Sequence, residues 1–217
     1  MKIKKTELLT NDLIETEKFY NKTLGFEIEL KDDKKIIFNV GESKLVFKKT
    51  EIKKPIYHFA FNIPCNQLEQ AIEWIKTQTN LILINENELI ADFKNWNAKA
   101  IYFYDNNQNI LEFIARFDLH NQSTNNFQEN SILCISEIAI VTNNVLEVTK
   151  KLVLKNNFEY FRNSIPNSEF TPLGDDNGLI IFVNKLRKWY PTQISAQNFW
   201  TNVVIEKNNK TITLEFE

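Results

Sequence analysis

The chain predicts an α+β protein, and three observations carry that expectation. A phrase of strand, polar turn, helix and left-handed stop is written twice without a gap. It is Thr10-Asn11-Asp12-Leu13 through Gly25-Phe26-Glu27, and Thr142-Asn143-Asn144-Val145 through Asn157-Phe158-Glu159. A looser third copy opens at Tyr57-His58-Phe59-Ala60-Phe61. Period-two strands followed by one helix per copy predict helices segregated to one face of a sheet.

The first unit, 1–54, opens with a strand near Ile3–Leu9. Asp12 and Glu15 have the capping-box spacing that satisfies orphan N–H groups at a helix start. Leu13, Thr16, Phe19, Tyr20 and Leu24 supply a buried helical stripe, and Gly25 fits the left-handed position that ends it. Strands near Lys35–Val40 and Lys44–Lys49 follow, joined by Gly41-Glu42-Ser43. In the second unit, 55–118, Tyr57, Phe59, Phe61 and Ile63 share one strand face while His58, Ala60 and Asn62 share the other. Asn66 and Glu69 repeat the capping box. Strands are expected near Leu81–Ile84, Ala98–Tyr104 and Ile110–Phe117.

Residues 119–131 read as a polar linker, with His120 an exposed bystander. The third unit, 132–217, starts with a strand over Ile132–Val141 and a capping box at Asn144 and Glu147. Asn157 replaces Gly25 because Asn tolerates the left-handed conformation. Further strands fall near Phe170–Leu173, Leu179–Asn184, Asn202–Glu206 and Thr211–Phe216.

Composition excludes several function classes. A net charge of −2 from 26 basic and 28 acidic residues does not favour nucleic acid, which selects clustered Lys and Arg. No signal peptide and no apolar run near the roughly 20 residues of a membrane helix is present, so a cytoplasmic protein is expected. Cys65 and Cys134 lack metal-ligand spacing and read as reduced core thiols. Four Gly residues cannot build a phosphate loop. Apolar residues at 43%, with 17 Phe, 6 Tyr and 4 Trp, suffice for a large core.

The Thr10–Phe26 phrase, Tyr57-His58-Phe59-Ala60-Phe61 and the run from Tyr104-Asp105 through Ile110-Leu111-Glu112 resemble the vicinal oxygen chelate superfamily. That group includes glyoxalase I, bleomycin-resistance proteins and extradiol dioxygenases. The resemblance covers about residues 1–117 well and 132–217 weakly. It implies βαβββ units, the first two paired into a curved-sheet cavity domain. The third would be a half domain packed on the first or on a partner chain, so a homodimer is one outcome.

Metal-dependent members commonly hold a divalent ion with two His and one carboxylate from facing strands. The resemblance assigns His58 as a ligand imidazole and Glu112 as the carboxylate, but Lys5 stands where the other His would fall. Glu137 takes the corresponding place in the third unit, where metal-bearing copies usually have His. Two readings stay open. In one, His58 and Glu112 bind one divalent metal with help from Glu7. In the other no cofactor is bound, and Lys5 sits between Glu112 and Glu7 as the neutralising charge, since buried carboxylates need a partner.

Trp96, Tyr102, Tyr104 and Arg116 are further cavity candidates, because aromatic walls with a few polar groups suit a small organic ligand. Lys185, Arg187, Lys188, Trp189 and Tyr190 form a basic–aromatic cluster that reads more readily as a solvated strand end. The favoured expectation is a sequestering protein without a complete metal site. The alternatives are a metal-dependent lyase or ring-cleaving dioxygenase, and a non-catalytic association scaffold.

Overall fold

The computed structural model describes residues 1–217, apart from the side chain of Asn163, and shows a mixed α+β fold of two sheets. From the first segment come β1 (Lys2–Thr10), α1 (Leu13–Glu17), β2 (Glu27–Lys31), β3 (Lys35–Val40) and β4 (Ser43–Lys49). The second supplies β5 (His58–Ile63), α2 (Leu68–Lys76), β6 (Leu81–Ile82), β7 (Ala91–Phe93), β8 (Ala98–Tyr104) and β9 (Ile110–Arg116). The third supplies β10 (Cys134–Thr142), α3 (Val145–Asn156), β11 (Phe170–Asp175), β12 (Gly178–Asn184), β13 (Thr201–Lys207) and β14 (Lys210–Phe216).

Local chemistry sets the helix ends. The Asp12 carboxylate accepts from the Ile14 and Glu15 amides, and Asn144 accepts from Glu147. After α1 the chain widens into one π-helical turn over Lys18–Thr23 and stops at Gly25, whose φ is +75°. Asn157 ends α3 at φ +54°, as its sequence position predicts. The middle cap differs. Gln67, not Asn66, flanks α2, because Asn66 exchanges hydrogen bonds with the Ser123 backbone. The expected linker is consequently fastened to the start of this helix, with Asn121 bonded to Cys65 N, Asn125 to Gln67, Phe127 N to Gln70, and Phe127 buried.

The strand pairing departs from the expected arrangement of the first two units. One sheet runs β14-β13-β1-β4-β3-β2, and the other runs β11-β12-β10-β5-β9-β8-β6 with β7 on β8. The second segment therefore shares its sheet with the third, joined by antiparallel β5 and β10. The first segment instead receives the C-terminal hairpin β13–β14 along β1. The third segment is thus divided between the sheets, and residues 1–118 do not form one closed sheet. The physical reason lies in the edges. The opening strands β1 and β5 each need a partner for their outer hydrogen-bonding row, and β13 and β10 supply it.

One core joins both sheets. Ile3, Leu8 and Phe47 from the first pack in the same cluster as Phe59, Phe61 and Ile138 from the second. The other face of the larger sheet is concave, and its small inward residues Ala60, Ala100 and Ala139 leave room above the strands.

Candidate functional site

A single cross-strand row forms the floor of this concave face. Tyr102 on β8 lies opposite Glu112 on β9, which lies opposite Ala60 on β5, which lies opposite Glu137 on β10. Neighbouring strands are about 4.8 Å apart, so the two glutamates reach toward each other over the methyl group of Ala60. A bulge at Ser136 shifts the β10 register and sets Glu137 opposite Ala60. In regular pairing with no bulge, Ser136 would oppose Ala60 and Glu137 would turn to the other face.

His58, two residues before Ala60, shares the face. One ligand atom from each of His58, Glu112 and Glu137 lies within 4.8 Å of the others. The His58 Nδ1 faces the Ile110 carbonyl at 2.9 Å, so it carries the proton and donates. Nε2 is then a free lone pair, 3.6 Å from Glu112 Oε2. Burial pushes the imidazole pKa down to about 4, and the charge of Arg187 acts in the same direction.

The two carboxyls are 2–3% exposed, and burial raises both above the ordinary range. Repulsion from Glu137 pushes Glu112 further, whereas Arg116 offsets part of the rise at Glu137. Arg116, fully buried, bonds through Nη2 to Glu137 Oε1 and through Nη1 to Asp176 at 3.3 Å. Arg162 supports Asp176 from outside at 3.0 Å. Among the described residues Glu137 thus has a cation in contact, whereas Glu112 feels the Arg116 charge only from a distance.

A cavity of about 290 Å³ opens above this floor. Its walls are aromatic: Trp189 lies 5.7 Å from the His58 ring, Tyr190 meets Tyr102 edge-on at 5.6 Å, and Trp96 stacks with Phe170 at 6.2 Å. Another hollow, around Gly41 and Leu133, has none of these donors.

Of the sequence candidates, the fold brings His58, Glu112, Trp96 and Tyr102 to this cavity, with Arg116 beneath it. Lys5 and Glu7 are elsewhere. They pair with each other at 2.6 Å on β1 of the smaller sheet, where Lys48 also meets Glu7 at 2.7 Å. Lys5 therefore cannot neutralise Glu112; the buried cation at the site is Arg116, and it is committed to Glu137. Tyr104 is also outside the lining, at the partly buried end of β8 near Thr192. Glu137 completes the donor set, and its equivalence to Lys5 in the written repeat was the signal for it. Arg187, Trp189 and Tyr190 line the cavity too, while Lys185 and Lys188 stay exposed.

The fold has clear likenesses among solved structures. One neighbour is a Bacillus subtilis subsp. subtilis str. 168 protein carried under a provisional dioxygenase name, at 13% identity and TM-score 0.58. That match covers 84% of this chain and 63% of the other. The chain has the vicinal oxygen chelate fold. Further neighbours are a glyoxalase/bleomycin resistance protein/dioxygenase of Alicyclobacillus acidocaldarius and a lactoylglutathione lyase of Agrobacterium tumefaciens. The first is 16% identical at TM-score 0.45, covering 54% of this chain and 94% of that one. The second is 19% identical at 0.43, covering 52% and 91%. No protein-family model matches the sequence, and no curated protein does. A vicinal oxygen chelate fold hosts many reactions, so function rests on the site itself.

Proposed function

We propose that this chain holds one divalent metal ion at His58, Glu112 and Glu137 and uses it to bind and transform a small organic molecule in the aromatic cavity. The observation that carries the reading is the meeting of three donors over Ala60, with Glu112 buried and no Lys or Arg in contact with it among the described residues. The residues fit such an ion. A neutral imidazole with its proton fixed on Nδ1 and two carboxylates are ordinary first-row donors, and Arg116 on one oxygen of Glu137 leaves the other available. When bound, the ion would act as a Lewis acid toward substrate oxygens.

The chain's own residues supply the remainder. Trp96, Phe170 and Trp189 bury a planar ligand, while Tyr102 beside Glu112 offers a hydroxyl near the donors. Burial keeps His58 neutral well below its ordinary range, so protons do not compete for Nε2 near neutral pH. This favours the metal-dependent lyase or ring-cleaving dioxygenase class over metal-free sequestration, whose basis was a lysine in the pocket. The same reading takes the three segments as copies of one βαβββ unit. Lys5, in β1, then occupies the His58 position of a copy without the donor set.

Elemental analysis of protein purified without chelator tests the proposal. One divalent ion per chain is expected, falling to background in His58→Ala. A metal-free wild-type protein that also fails to take up Mn²⁺, Fe²⁺ or Zn²⁺ by calorimetry would return the pocket to simple sequestration.

A further inference from the structure

We infer that the ligand of this cavity is a small planar anion, its negative group received by Arg187 and the Trp189 indole N–H at the cavity mouth. The inference deepens the proposed function by naming the ligand class. It rests on the cavity being a ligand site, and not on the metal.

The segment after β12 puts these two residues there by alternation. Arg187 N donates to Asn184 O, Trp189 N to Ile194 O, and Ala196 N to Arg187 O, so the chain folds back on itself beside the cavity. Lys188 and Ser195 pair across this turn, and Lys188 Nζ bonds outward to Ser195 Oγ at 2.6 Å. Period two then turns Arg187 and Trp189 to the cavity side, where both line it.

Each has an unmet polar demand. Arg187 lies over the Phe170 ring at 4.5 Å and is partly desolvated, with no ion pair among the described residues. Its neighbours differ: Arg116 and Arg162 both hold carboxylates. A guanidinium partly withdrawn from water, with Glu169 acting only through its charge and no carboxylate bonded, lacks the charge-assisted bonds that compensate desolvation. Trp189 is 3% exposed, and its Nε1 has no hydrogen-bond partner among the described residues. A buried indole N–H usually finds an acceptor. One anionic oxygen group bordering both would satisfy them together.

Size and shape narrow the class. A volume of about 290 Å³ is at the small end of the roughly 300–1,000 Å³ typical of ligand sites. It admits about one ring with short substituents. The flat aromatic walls favour a planar body, stacked between Trp96 and Trp189 with its anionic end toward Arg187.

The test is calorimetric titration of the full-length protein with benzoate, its neutral isostere benzamide, and phenylphosphonate, each with and without saturating Zn²⁺. Benzoate or phenylphosphonate is expected to bind about tenfold tighter than benzamide or better, and the ranking of the two acids tells carboxylate from phosphonate. Arg187→Met should erase that preference, and Arg187→Lys should keep part of it. Trp189→Phe should weaken benzoate severalfold. If Zn²⁺ does not bind but the Arg187-dependent preference persists, the metal reading fails and this one stands. Equal affinities for benzoate and benzamide, a preference retained in Arg187→Met, or no binding of any probe overturns it.

Discussion

Glu112 and Glu137 stand two strands apart, and their carboxyls meet because the residue between them is alanine. Ala60→Leu would fill that gap. We expect a loss of metal affinity of about 100-fold or more, measured by calorimetry, with a stability cost of roughly 1–3 kcal/mol from overpacking. Glu137→Ala should be worse for the fold, because it strips the buried Arg116 of one of its two carboxylates. Chemical denaturation of the metal-free variant is expected to show roughly 3 kcal/mol lost, since an uncompensated buried charge remains. His58 gives a pH signature. Its native pKa of about 4 lies below the ordinary 6.5, so between these values the unfolded chain binds more protons. Stability of the metal-free protein should accordingly be full above pH 6.5 and fall toward pH 4 by this contribution, on the order of 3 kcal/mol. Urea midpoints measured across that range should lose this slope in His58→Gln.

Two short irregularities place whole strands. The bulge at Ser136 turns Glu137 onto the concave face, and Gly41 lets the β3–β4 turn seat against the chain before β10. Gly41 has φ +54°, a side chain there would meet the Leu133 carbonyl at 1.9 Å, and Glu42 N donates to the same oxygen. Gly41→Ala is expected to lower the thermal midpoint markedly, at a cost of about 2 kcal/mol or more, with the metal donors untouched. Elements of this kind mark the limit of what sequence could show. Strand faces, helix stripes and the Gly25 and Asn157 stops were legible because period and backbone preference are local. The Asn66 cap was misread because a distant loop took up its side chain. β2 was missed, as its mostly exposed residues lack a core-facing alternation.

At the scale of the molecule, the repeat announced the fold but not which copies pair. Sheet partnership depends on which strand edges the folded chain brings together, and no local pattern encodes that. Lys5 and Glu137 hold matching positions in the two sequence phrases, yet one lies in a charged row of the smaller sheet and the other in the cavity floor. Reading the wrong pair of copies placed Lys5 beside Glu112 and hid Arg116 as the buried counter-ion. The observed pairing makes a prediction of its own. A fragment of residues 1–118 loses the partners of both β1 and β5, so it should aggregate or show weak amide-exchange protection along those strands.

The most direct measurement is anomalous X-ray scattering from crystals of the wild-type protein grown with Mn²⁺. The account predicts one peak within coordination distance of His58 Nε2, Glu112 and Glu137, absent from His58→Ala crystals grown identically. No peak there, or a peak that survives the substitution unchanged, would contradict it.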